Sequence, residues 1–130
     1  MTDRPNRAEV GKTGEDTACR WLISKGYKII ERNYWKKFGE IDIVATKDGT
    51  LHFVEVKSVT RSLAHSRDDD YDALDNVHPW KLKRLSRAIQ IYLSERKVDD
   101  EADWQVDIIT IELDYDIRNA RVRFLDDVEL

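Results

Sequence analysis

The dipeptide Asp48-Gly49 stands between two apolar runs, GEIDIVATK (39–47) and TLHFVEVKS (50–58). Asp-Gly suits a two-residue turn with positive φ at both central positions, so the runs are expected to form an antiparallel hairpin in which Lys47 opposes Thr50. That register sets Asp42 opposite Glu55 and Glu40 opposite Lys57. Alternation along the strands then places Glu40, Asp42 and Val44 on one face with Phe53, Glu55 and Lys57, and Ile41, Ile43, Val54 and Val56 on the other. Two carboxylates on one rung have Cβ atoms about 4.5–5.5 Å apart, where like charges destabilise a sheet and burial of a lone carboxylate costs more still. A divalent cation would compensate, because Mg²⁺ accepts one or two carboxylates and completes its shell with water and phosphate oxygens. Lys57 beside it would orient a nucleophile or neutralise charge on phosphate. The alternative is a set of ordinary ion pairs on a solvated sheet face.

Around this hairpin the chain of 130 residues divides into few elements, and its 41% hydrophobic content suits one domain with one modest core. Residues 8–25 carry Gly14, Ala18 and Leu22 at helical spacing, with Gly26 as the terminating glycine. A strand is expected over 27–35, before the hairpin. Residues 60–76 lack a period and contain RDDDYD, which reads as a loop, with Asn76 capping a second helix over 78–96 that buries Leu85, Ala88, Ile89 and Tyr92. Strands at 104–113 and 120–125 complete an αβββαββ order.

Charge is plentiful but nearly balanced: 37% of residues are charged and the formal net charge is −4. Residues 1–97 hold 19 Lys+Arg against 15 Asp+Glu, whereas 98–130 hold 3 against 11. Contact with a polyanion is therefore expected from a local basic patch rather than from bulk charge. Cys19 is the only cysteine, which excludes an internal disulfide and a thiolate zinc cluster and fits a reducing cytoplasm. The N-terminus has no apolar signal region and no run approaches the ~18 apolar residues of a membrane span, so neither export nor membrane insertion is expected.

Other candidates are weighed by their surroundings. Gly11, Gly14, Glu15, Ala18 and Leu22 share one stripe of the first helix, so Glu15 points inward, either towards the same cation or into a salt bridge near the helix start. GKT at 11–13 lacks the preceding strand and first glycine of a phosphate loop. His52, His65 and His78 show no ligand spacing and read as strand, loop or capping residues. Lys81, Lys83, Arg84 and Arg87 crowd the first half of the second helix, where the dipole disfavours cations unless phosphate is present; a solvated basic face is the other reading. Arg32, Lys36 and Lys37 would extend such a patch. Trp35 and Trp80 are candidates for base stacking, for the core or for a partner surface. Asp107 reads as a structural hydrogen-bond acceptor.

Taken together, GKTGEDTACRWLISKGYKIIERNYW, GEIDIVA, FVEVK and KLKRLSRAIQIYL resemble the YraN family of small nuclease-like proteins over nearly the whole chain. That family falls within the PD-(D/E)xK superfamily, so the resemblance implies an α/β, restriction-endonuclease-like αβββαβ core with a mixed sheet flanked by helices. It implies dependence on Mg²⁺ or Mn²⁺ and hydrolysis of phosphodiester bonds in nucleic acid, expected to be DNA. Carried over residue by residue, it implies Asp42, Glu55 and Lys57 as the catalytic set, the Val56 carbonyl and Glu15 beside the metal, and Lys81 as the lysine of the second helix. The proline of the superfamily name is Ile41 here, and the arginine expected soon after VEVK stands at Arg61. Lys81, Arg84, Arg32 and Arg61 are the expected nucleic-acid contacts. Resolvase-like relatives pair, which makes a homodimer an expectation of the same kind. A module that keeps the fold, binds nucleic acid or a protein and does not cleave is the competing expectation.

Overall fold

Both central residues of the hairpin turn are left-handed, Asp48 with φ 51° and Gly49 with φ 81°, as a type I′ turn requires. In the computed structural model, which describes residues 5–63 and 77–130, the element order is α1 (Arg7–Ser24), β1 (Lys28–Lys36), β2 (Gly39–Lys47), β3 (Thr50–Thr60), α2 (Pro79–Glu95), β4 (Trp104–Asp114) and β5 (Asn119–Leu125). The strands form one five-stranded sheet in the order β1-β2-β3-β4-β5. All neighbours are antiparallel except β3 and β4. That parallel pair needs a crossover, which α2 supplies. This mixed α/β sheet flanked by two helices matches the αβββαβ expectation.

Each helix covers one face. Ala18, Cys19 and Leu22 of α1 pack on Ile43, Ala45, Val54, Val56, Ile109 and Ile111. Leu85, Ala88, Ile89 and Tyr92 of α2 pack on Tyr34, Ile41, Val44, Phe53 and Val106. Asn6 caps α1 reciprocally: its side chain accepts from the Glu9 amide at 2.9 Å, and the Glu9 side chain accepts from the Asn6 amide at 3.3 Å. The loop expected over 60–76 is shortened because β3 runs to Thr60, and residues 64–76, including His65 and Asn76, lie outside the described residues. The cap of α2 is His78 rather than Asn76: its Nδ1 accepts from the Trp80 amide at 3.1 Å, and Pro79 takes the first helical position, where no amide is missed.

Two corrections to the expected sheet bear on the site. The β2–β3 ladder follows the expected register from Lys47–Thr50 to Ile43–Val54 and ends there, so Asp42–Glu55 and Glu40–Lys57 are not ladder pairs. Beyond Ile43, β2 stays with β1 through Ile41–Tyr34 and Glu40–Trp35. Simple alternation also fails, because Ile41 packs with Val44 and Phe53 under α2 while Ile43 packs under α1. Asn33 explains the switch. Its φ of 53° turns β1 over, so that Arg32 reaches α1 and Tyr34 reaches α2, and β2 follows across the ladder.

Candidate active site

Where β2 and β3 part, the Asp42 side chain fills the place of a ladder partner: its Oδ2 accepts from the Val56 amide at 2.8 Å. Along an extended strand the amide and carbonyl of one residue point to the same edge, so the Val56 carbonyl also faces this gap. Glu55 is buried, 4% exposed, and within hydrogen-bonding reach of Asp42. Burial, and then the charge of Glu55, push the Asp42 carboxyl up to about 8. Burial likewise raises Glu55, against the pull of Lys81. The pair therefore gives up its first proton less readily than an ordinary carboxyl does.

Lys81 enters from the first turns of α2, its Nζ 3.2 Å from Glu55. Burial opposes its charge, but Glu55 and then Asp42 outweigh that and hold it above the usual lysine value. One ammonium thus faces two carboxylates. Lys57 forms no hydrogen bond or ion pair with the described residues and lines the adjoining cleft, of about 510 Å³, together with Glu15, Asp42, Val56, Ser58 and Lys81.

The two walls of this cleft are built differently. On the α1 side, Gly14 has no room for a side chain: a Cβ there would lie 1.7 Å from Ser58 Oγ, so the helix lies directly on β3. The Ser58 hydroxyl is buried without a hydrogen-bond partner among the described residues. The next residue, Glu15, accepts from Arg32 Nε and Asn33 Nδ2, both at 3.0 Å. On the α2 side, Gly39 brings the β1–β2 turn onto the helix, where a Cβ would lie 2.3 Å from the Arg84 carbonyl oxygen.

The expected site residues therefore divide. Asp42, Glu55, Val56, Lys57 and Lys81 meet at one place, and Glu15 stands on the same cleft with its carboxylate engaged. Glu15 makes the salt bridge that one of its two readings expected. Among the expected nucleic-acid contacts, Arg32 is held by Glu15 and Asp16, Arg61 lies 3.7 Å from the buried Glu112, and Lys81 points into the acids. Arg84 stays at the surface, its guanidinium 4.9 Å from the Trp80 ring centre. Asp107 is structural as expected, bonded to His52 at 2.7 Å, Gln105 at 2.8 Å and the Asp127 amide at 3.0 Å. Sequence reasoning passed over Ser58 and the part of Asn33 in holding Glu15. Asn33 carried a signal, since asparagine tolerates the left-handed region better than most residues.

Among the described residues no three His, Cys, Asp or Glu side chains gather as metal ligands. Two carboxylates and a strand carbonyl are nonetheless a hard-oxygen set suited to Mg²⁺ or Mn²⁺, which keep water in the remaining positions. Residues 14–111 match the model of the Uncharacterised protein family UPF0102. The chain belongs to this family. It is the YraN family that the sequence motifs resembled. A UPF0102 protein of Campylobacter fetus is 38% identical over 118 residues, covering 91% of each chain. One from Helicobacter pylori is 34% identical over 120 residues, covering 92% of this chain and 90% of its own. The UPF0102 match takes in Glu15, Asp42, Glu55, Lys57 and Lys81 and stops before β5. No helix among the described residues is long and apolar enough to cross a membrane.

Proposed function

We propose that this chain is a phosphodiester hydrolase acting on DNA, with Mg²⁺ or Mn²⁺ as its cofactor. The observation that carries the reading is the convergence of Asp42 and Glu55 at the point where β2 and β3 separate, beside Lys57, which has no ion-pair partner among the described residues. Asp42, Glu55 and the Val56 carbonyl would hold the cation, which when bound lowers the pKa of water and offsets charge on the phosphate. Lys81 holds Glu55 in place and limits the repulsion between the acids. Lys57, free to turn towards the cleft, orients the attacking water and neutralises the phosphoryl oxygens as their charge grows. Water oxygen bonds to phosphorus from the side opposite the leaving oxygen, that P–O bond breaks, and the configuration at phosphorus inverts. The wall formed by Glu15, Arg32 and Asn33 fixes α1 against β1 and so sets the width of the cleft.

Cleavage assays with Mn²⁺ on single-stranded, duplex, flapped and branched DNA test this. Glu55→Gln and Lys57→Ala should each abolish cleavage while keeping the wild-type circular dichroism. Retention of activity by both purified variants would refute the assignment.

One observation favours a second reading. The Lys81 ammonium already stands 3.2 Å from Glu55, as an internal cation would in a silent module that only binds nucleic acid. Under that reading binding needs no divalent ion, and Glu55→Gln leaves affinity unchanged.

A further inference from the structure

The cleft beside the acids, of about 510 Å³, is larger than the proposed chemistry needs, since a water takes about 30 Å³ of liquid volume and a cation with its waters and one phosphate fills only part of the space. At one end, the ladder pairs Arg32–Ile43 and Tyr34–Ile41 leave Asn33 opposite Asp42, and Asn33 donates to Glu15, so Glu15 marks the acid end on α1. Arg7 and Gly11 of α1 line the same cleft, as do Pro5 before the helix and Thr60 at the end of β3. Arg7, Gly11 and Glu15 recur every four residues and therefore share one side of the helix. Eight residues separate Arg7 from Glu15, about 12 Å along the axis, which carries the cleft well past the acids.

Gly11 points to a ligand in this arm. Glycine inside a helix is less favourable than alanine, and at Gly14 packing requires it, because a Cβ there would strike Ser58. At Gly11 a Cβ would meet nothing within 4 Å, and the backbone is not left-handed. The fold thus has no need of glycine at this position. What the missing side chain leaves open is the wall of the cleft, where another molecule can lie close against the helix. Arg7, one turn earlier, indicates the charge of that molecule: it is exposed, and its guanidinium forms no hydrogen bond or ion pair with the described residues. Asn6 already takes the Glu9 amide in the first turn, so the Arg7 side chain rather than the helix end is the group on offer. A guanidinium beside an unobstructed groove suits phosphate, whose oxygens it meets with two parallel N–H donors.

We infer that the Arg7–Gly11 arm of the cleft is a second phosphate subsite, which holds the nucleic-acid backbone one or two nucleotides away from the bond to be cut. This rests on the proposed hydrolase only in taking nucleic acid as the ligand. The contact is to the backbone, so it positions the strand against the acids without reading its sequence. The strand runs from Arg7 along Gly11 and past Lys57 to Asp42.

The test is binding of a labelled oligodeoxynucleotide in EDTA, where no cleavage occurs, read by fluorescence anisotropy over a series of salt concentrations. Arg7→Ala should weaken binding about fivefold or more and make the slope of log affinity against log salt shallower by about one, and Arg7→Lys should restore the slope. Gly11→Leu introduces a good helix former that strikes nothing in the fold, so it should keep the wild-type circular dichroism and weaken binding by a similar factor. Lys12→Ala removes the same charge one residue further on, outside the lining of the cleft, and should leave affinity nearly unchanged. A single neutral methylphosphonate linkage, moved along the oligonucleotide in successive samples, should weaken wild-type binding at one position and cost nothing further there in Arg7→Ala. Equal losses for Arg7→Ala and Lys12→Ala, wild-type affinity in Gly11→Leu, or no oligonucleotide binding by the wild type would overturn the inference. Cleavage with Mn²⁺ is assayed separately on the same variants. Binding that depends on Arg7 and Gly11 without any cleavage refutes the hydrolase and keeps the subsite, whereas cleavage with KM and affinity unmoved in both variants refutes the subsite alone.

Discussion

Glu112 on β4 and Glu55 on β3 are both buried acids in strands of the same sheet, yet the fold treats them in opposite ways. Glu112 is enclosed by basic groups: Arg121 and Arg123 from β5 donate to its two oxygens, and Arg61 lies 3.7 Å away. Burial works against its charge, but the two donated arginine bonds outweigh it and hold the carboxyl below the usual range. Glu55 faces one lysine and a second acid, and both acids are raised. A buried carboxylate that the surrounding chain fully satisfies is a structural part. One left short of positive charge at the edge of a cleft is a place for something that arrives later.

Substituting the two kinds of acid should therefore change stability with opposite signs. Glu112→Gln removes the partner of three guanidinium groups and should destabilise the protein by about 3–5 kcal/mol in urea unfolding. A loss under about 1 kcal/mol would put Glu112 in the same class as Glu55. Next in size is a pH effect in metal-free buffer. Because the folded value for Asp42 lies above its ordinary 3.8, its contribution is fully present near pH 4 and is lost as pH rises to about 8. Unfolding free energy should fall across that window by up to about 1.4 kcal/mol per pH unit. Asp42→Asn should flatten the slope and be the more stable chain at pH 8; a wild-type slope in the variant would remove Asp42 from the account. The smallest effect concerns packing beside the site. Gly14→Ala drives a methyl into Ser58 and should cost roughly 1–3 kcal/mol, while Gly14→Ala with Ser58→Gly should recover most of it in the same unfolding experiment.

Much of this arrangement was legible in the sequence because it is local. Asp48-Gly49 set the turn and the first five rungs, helical spacing marked Ala18 and Leu22 on α1 and Leu85 to Tyr92 on α2, and the turn length put the two acids near each other although the rung it assigned them is not formed. The failures share a physical cause. Alternation presumes an unbroken extended backbone, and Asn33 on the neighbouring strand breaks it, so the faces assigned to Ile41 and Ile43 parted. Asn76 is the better cap by residue type, but Pro79 fixes the first helical position and leaves His78 as the cap. The partners of Arg32, Arg61 and Lys81, namely Glu15, Glu112 and Glu55, were not legible because they are joined to them only through tertiary structure.

The parallel pairing of β3 with β4 also has a consequence for how the protein comes into being. The β2–β3 hairpin closes over two residues and can form within microseconds of its synthesis, whereas β4 begins more than forty residues after β3 ends. Closing that longer segment around α2 is the slow, high-contact-order step. Asp42 and Glu55 thus meet early, in open water, where neither is perturbed. Their raised affinity for a proton arrives only when the crossover is complete, so the hairpin alone brings the acids together without the burial that shifts them.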